Sequence, residues 1–256
     1  MISTLLAAPW SVASYRRKFL ANREDNLFMG SFDSFAAAEA AAPASKAVGY
    51  DNAEAAKALY SHQIYFWDYP ALFWIKRSIE DGMRSFFDLG GHVGIKYYAF
   101  RRVANYPAEL RWRVCDVPGV VQAGGALAIE REAAAQLSFC TDFREASGHD
   151  VLYASGTLQY LPTRIGEILA ALPVKPRRIV LNTTAAHPDR TMHTLNSVGF
   201  AVCPYRIQRH DELMGELASA GYKRVDGWRN EGKPIKVPFV EGGDKAYYAG
   251  GCFDRR

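Results

Sequence analysis

The rhythm of apolar and polar positions changes once along this chain, near residue 84. Before that point the spacing is helical. Residues 32–48 are Ala-rich, with Phe32, Phe35 and Glu39 one helical repeat apart, and Pro43 or Gly49 closes that helix. Asp51 can cap a second helix over 52–62, and 69–81 reads as a third, with Pro70 favourable in its first turn. Aromatic residues crowd the same stretch: Tyr60, Tyr65, Phe66, Trp67, Tyr69, Phe73 and Trp74. From residue 84 onward, short apolar runs alternate with helical segments. Strands are expected at 85–89, 110–115, 137–141, 150–155 and 178–182, and helices at 93–105, 119–135, 163–172 and 211–220. Two last strands, 222–228 and 245–253, have only a Gly/Pro-containing loop between them and should form an antiparallel hairpin. This pattern predicts an α/β fold: a doubly wound, mostly parallel, seven-stranded sheet over 83–256 with a C-terminal hairpin. Residues 1–82 would be a helical extension packed on it.

Composition narrows the picture. At 256 residues, 49% hydrophobic and 23% charged, the chain is an ordinary globular protein able to bury a large core. Its net charge of +4 is diffuse, with a single basic cluster at Lys175–Arg178, so no nucleic-acid partner is expected. The four cysteines (Cys115, Cys140, Cys203, Cys252) have no metal-ligand spacing and read as reduced structural thiols. In the N-terminal stretch the basic residues follow the apolar ones, the wrong order for a secretory signal, and no run is long enough to span a bilayer. A cytoplasmic protein without a membrane partner is expected.

The chemistry concentrates in FFDLGGHVG, residues 86–94. A strand delivers Asp88, and Gly90, Gly91 and Gly94 turn the chain tightly into a helix whose N-terminus has free N–H groups. In open α/β sheets, ligands sit at this end of the strands. Asp116 closes the second strand and can bond ribose hydroxyls. Asp142 closes the third and is followed by Phe143, an acceptor and an aromatic face suited to an adenine.

In order, DLGGHVG (88–94), CDVPGVV (115–121), CTDF (140–143) and DVLYASGTLQYLP (150–162) resemble the motifs of class I S-adenosylmethionine-dependent methyltransferases. The DVPGVV step is similar to the small-molecule O-methyltransferase branch. GSFDSFAAAEA (30–40), GYD (49–51), ASGTLQYLP and AGYKRVDGW (220–228) further resemble a bacterial methyltransferase-like family associated with surface-polysaccharide or secondary-metabolite gene clusters. The resemblance implies a Rossmann-like methyltransferase fold, S-adenosylmethionine as cofactor and a small-molecule or glycan-precursor acceptor, methylated on oxygen. It also implies roles. Asp88, Gly90, Gly91 and Gly94 would surround the methionine and ribose, and Asp116 would hold the ribose. Val117, Asp142 and Phe143 would flank the adenine, while Ser155 and Gly156 would lie near the methionine amino group and the methyl.

Two positions depart from the pattern. His92 stands where the glycine motif has a small residue, and Gln159 stands where the O-methyltransferase branch has its general-base histidine. A glutamine cannot take a proton, so the candidate bases are His187, His92 and His62, with His187 and His193 expected in a loop after the fifth strand. With Asp189 between the latter two, a metal site is conceivable but lacks a tight ligand spacing, and none is expected. The aromatic segment with Tyr60, His62, Tyr65 and Trp67 is either core or a lid over the acceptor, and it leaves a homodimer interface open. Two rivals stand beside the enzyme reading: a nicotinamide-dependent oxidoreductase, disfavoured by the glycine spacing, and a cofactor-binding protein of the same fold without activity.

Overall fold

The computed structural model describes residues 11–44, 47–48, 63–199 and 201–256. Helix α1 (Val12–Ala21) leads to β1 (Leu27–Phe32), α2 (Phe35–Ala40) and the short β2 (Ala47–Val48). The expected helix at 52–62 lies outside the described residues. After a single 3₁₀ turn at Phe66–Asp68 comes α3 (Tyr69–Glu80), which buries Ala71, Leu72, Ile75, Ser78 and Ile79 on one face. Gly82, at φ +83°, ends it in the left-handed conformation that glycine adopts without cost.

The sheet core then follows in alternation: β3 (Ser85–Leu89), α4 (Ile95–Arg101), β4 (Arg111–Cys115), α5 (Pro118–Glu130), β5 (Leu137–Cys140), β6 (Val151–Ser155), α6 (Ile165–Ala170) and β7 (Arg178–His187). Two further strands, β8 (Met192–Ser197) and β9 (Ala201–Arg209), precede α7 (His210–Ser219) and the hairpin β10 (Tyr222–Asn230)–β11 (Tyr247–Arg255). Seven strands lie in the order β5-β4-β3-β6-β7-β11-β10, parallel except for β11, which runs antiparallel to β7 and β10. This is the predicted doubly wound sheet with its C-terminal hairpin. One face packs Phe86, Trp112, Tyr97 and Tyr153 against α3 and α4; the other packs Phe87, Leu152 and Leu181 against α6 and α7. Burial on both faces gives central parallel strands their unbroken apolar runs.

The sheet is larger than expected. β7 does not stop at Asn182 but continues to His187, with all ten residues buried. Where it passes β11 the register slips between Ala249 and Gly251, and Thr183 on β7 adopts φ +51°, a rare backbone for a β-branched residue. Beyond that bulge Ala186 and His187 pair with β9, so the sheet forks, and the second arm runs β9-β8-β1. The N-terminal extension is therefore only partly helical, because β1 closes the outer edge of this arm. Tyr205 and Tyr248 meet hydroxyl to hydroxyl at 3.0 Å across the fork.

Candidate active site

The strand order reverses between β3 and β6: from β3 the chain winds out to β5, then returns to β6 and winds the other way. The crevice at the carboxyl ends of these two strands is the topological switch point at which such sheets bind ligands. Gly90, Gly91, His92 and Gly94 line it from β3. A Cβ on Gly90 would lie 2.3 Å from the Thr157 side chain, and one on Gly91 would lie 2.4 Å from the Asp88 carboxylate. Only glycine permits this closeness, so the turn presents bare backbone. His92, at φ +57°, occupies a left-handed position that histidine tolerates better than most residues.

Asp116 clamps this turn. Its Oδ2 accepts the His92 N–H at 2.8 Å and its Oδ1 accepts the Val117 N–H at 2.8 Å. Asp88 is buried, and among the described residues its one hydrogen-bond partner is the Trp112 Nε1–H, at 3.0 Å. Burial pushes its pKa up to about 7; the Trp112 bond and Lys96 oppose the rise and Asp116 adds to it. His92 has a buried Nδ1 without a partner, and desolvation pulls its pKa down to about 4. Asp142 is half-exposed and caps its own loop, accepting the Arg144 N–H at 2.9 Å, while the Arg144 guanidinium lies 5.3 Å over the Phe143 ring. Asp116, Val117, Asp142 and Phe143 thus stand at the ends of adjacent strands β4 and β5, beside the glycine turn. Ser155 and Gly156 close β6, tied to Asn182 by its Nδ2–H (3.3 Å to Ser155 Oγ) and by the Gly156 N–H to its carbonyl (2.9 Å).

The expected bases are placed differently. His62 lies outside the described residues. His187 is not in a loop: it ends β7, buried, with Nδ1 accepting the Asp189 and Arg190 N–H groups at 3.0 and 3.2 Å and Nε2 bonded to the Gly242 carbonyl at 3.0 Å. Both ring nitrogens are used to pin the β7–β8 turn to the 231–246 loop, so neither is free to take a proton. His193 lies on β8. Gln159 is also structural: its Nε2 donates to Thr183 O (3.1 Å) and its Oε1 accepts Ala185 N–H (3.4 Å), filling the backbone bonds of β7 just past the end of β6. Among the described residues no three His, Cys, Asp or Glu side chains converge as a metal site, and no helix is long and apolar enough to cross a membrane.

A second cluster, absent from the sequence reading, adjoins the crevice at the ends of β6 and β7. Asp68, 1% exposed, pairs with Lys96 at 2.6 Å and takes the Asn182 Nδ2–H at 3.3 Å and the Tyr65 N–H at 3.0 Å. Asn182 Oδ1 accepts the Trp228 Nε1–H at 3.0 Å. That indole reaches inward because its cross-strand partner is Gly250, where a Cβ would lie 2.2 Å from the ring. Asp68 sits inside the aromatic run FWDYP and Asn182 at a strand end, and neither has a local signature.

No protein-family model matches the chain, and no curated protein matches it. Solved structures share its fold. A Galdieria sulphuraria protein assigned as a sarcosine dimethylglycine methyltransferase superposes with a TM-score of 0.51, at 10% identity over 72% of this chain and 85% of its own. The N-terminal domain of EvdMO1, with S-adenosylhomocysteine bound, gives 0.50 at 12% identity over 72% and 81%. Burkholderia thailandensis 1,6-didemethyltoxoflavin-N1-methyltransferase, with 1,6-didemethyltoxoflavin and S-adenosylhomocysteine bound, gives 0.48 at 18% over 73% and 76%. The first two define a Rossmann-like methyltransferase fold.

Proposed function

We propose that the protein is an S-adenosylmethionine-dependent methyltransferase acting on oxygen of a small-molecule or glycan-precursor acceptor. The observation that carries the reading is the Asp116 clamp. A carboxylate at the end of the second sheet strand is locked by the His92 N–H of the glycine turn and by the Val117 N–H, which fixes it at the switch point where a ribose diol would meet it. The bare backbone of Gly90 and Gly91 and the orphaned Nδ1 of His92 fit a cofactor lying across the turn. The bound S-adenosylhomocysteine of the EvdMO1 domain supports the same cofactor.

When bound, S-adenosylmethionine would supply an electrophilic methyl to an acceptor oxygen, the O–C bond forming in line as the S–C bond breaks and S-adenosylhomocysteine leaves. The chain's contribution is then to position and desolvate. Asp116 with Val117 would hold the ribose and one adenine edge, Asp142 and Phe143 the other. Asp88, Ser155 and Gly156 would border the methionine and the methyl. His92, with a pKa near 4, suits hydrogen bonding to the cofactor better than proton removal. Much of the acceleration would come from holding acceptor and methyl in contact. The turn Tyr65–Asp68, with Tyr65 stacked on Trp67 at 4.7 Å, would cover the acceptor side as a lid. The likeness to the family associated with polysaccharide and secondary-metabolite clusters rests on sequence motifs alone and suggests where acceptors should be sought.

The test is calorimetric titration with S-adenosylhomocysteine, with NADH as control. The former should bind and the latter should not. Asp116→Ala should weaken binding by ~1.5–3 kcal/mol, the loss of a charged hydrogen bond. Unchanged affinity would remove the ribose assignment, and NADH binding alone would replace the cofactor.

A further inference from the structure

The cluster beside the crevice holds one more cation than it can neutralise. Lys233 lies in the 231–246 loop, three residues after Asn230, which pairs with Tyr248 in the hairpin. Its neighbour Gly232 packs so closely on the Phe66 ring that a Cβ there would sit 1.8 Å from it, which fixes the loop against the turn bearing Asp68. The Lys233 ammonium stands 5.1 Å from the Tyr248 ring centroid and forms no hydrogen bond or ion pair with any described residue. The charges that reach it are Asp68 and Lys96, and burial pulls its pKa below the ordinary lysine range.

Asp68 cannot serve it. That carboxylate already takes Lys96 at 2.6 Å, the Asn182 amide and the Tyr65 N–H. Two ammonium groups thus face one carboxylate, and a partly desolvated charge without a counter-ion is costly unless something pairs with it. The Asn182 and Asn230 amides are already spent on Asp68, Ser155, Asn182 Oδ1 and the Thr183 oxygen, so the donors left for an incoming anion are the Lys233 ammonium and the Thr183 O–H. His187 has both ring nitrogens engaged and His92 has a pKa of about 4, so neither suits the deprotonation of a hydroxyl, which also favours an acceptor that arrives already ionised.

We propose that Lys233 recognises an anionic group, a carboxylate or phosphate, on the methyl acceptor. This rests on the methyltransferase reading above and names the substrate class of that site. The test uses thermal shift and titration on the full chain, with benzoate and inorganic phosphate as probes against chloride at matched ionic strength. One or both should raise the melting temperature of the wild type saturably, and the stronger of the two identifies the anion. In Lys233→Met and Lys233→Gln the half-saturating concentration should rise roughly tenfold or more, as for loss of a charged bond. Lys233→Met should also melt above the wild type without added anion, because an unpaired, partly buried charge has been removed.

No saturable anion effect, or one unchanged in both variants, overturns the proposal. So does a loss of S-adenosylhomocysteine affinity in Lys233→Met that methylthioadenosine, which lacks the amino-acid carboxylate, does not share; the lysine would then belong to the cofactor. If the wild type binds anions through Lys233 but does not bind S-adenosylhomocysteine, the cofactor reading falls and the anion site stands without it.

Discussion

Asp88→Asn offers the most quantitative check on the crevice. The Asp88 carboxyl is buried with one hydrogen bond, and its pKa stands at about 7 instead of 3.8. The groups acting on it are Trp112, Asp116 and Lys96. A raised pKa means that the folded protein prefers the neutral acid. The stability that this group allows is therefore fully present below about pH 4 and is lost as pH rises through about 7. A difference of roughly 3 pH units at 1.36 kcal/mol each makes the whole span about 4 kcal/mol. Asparagine can still accept the Trp112 N–H through its carbonyl but cannot ionise, so the variant escapes that loss. Urea unfolding of both proteins should then show the difference in stability shifting in favour of the variant by about 2–3 kcal/mol between about pH 5 and pH 8. Any fixed cost of the substitution cancels, since only the change with pH is read, and every other titrating group is common to both proteins. Parallel stability curves would refute the reasoning, because they would mean that Asp88 has the same pKa folded and unfolded.

Gln159→Leu should cost about 2–4 kcal/mol in urea unfolding, because the Thr183 carbonyl and Ala185 N–H on buried β7 lose their partner. Its affinity for S-adenosylhomocysteine should hold; full stability with lost binding would return this residue to the site. His187→Ala should lower stability by a similar ~2–4 kcal/mol, since the Gly242 carbonyl and two backbone N–H groups are left unpaired. Calorimetric S-adenosylhomocysteine affinity should not move, and a variant of unchanged stability would reopen His187 as a free base.

The parts of the fold legible in the sequence are those where one physical rule dominates. β3 through β6 showed as apolar runs punctuated by glycine or an acidic residue, because strands buried on both faces need that composition. α3 ran from Tyr69 to Glu80, with Pro70 in its first turn and Gly82 following Asp81. The second arm of the sheet was not legible. Its strands carry buried polar residues whose partners are distant in sequence or on another element: Thr194 donates to the Met29 carbonyl, Asn196 to Asn26 and the Leu27 carbonyl, Ser197 accepts from Asn22, and Gln208 donates to Glu216 on α7. A run such as NTTAAH reads as a loop until a partner strand is known. The crevice at the carboxyl ends of β3, β4 and β5 was readable because Asp116 and Asp142 directly follow strands and the glycine turn follows Asp88. The neighbouring charged cluster draws Asp68, Lys96, Asn182 and Lys233 from four distant segments, and no local pattern joins them. Histidines drew attention for their chemistry, yet His187 serves as a backbone clamp, a role that composition cannot distinguish from that of a base.

The pairing of β1 with β8 sets a timetable for making the protein. Leu27–Phe32 leaves the ribosome early, but its partner strand Met192–Ser197 follows roughly 160 residues later, about ten to thirty seconds at ordinary synthesis rates. Through that interval the segment has no sheet to join, and once β8 appears its open edge invites strangers until β1 docks. Shortening the chain to a point past Phe32 would therefore remove the closing strand of the sheet's second arm. It would leave β8 as a permanently exposed edge, so such a variant should aggregate.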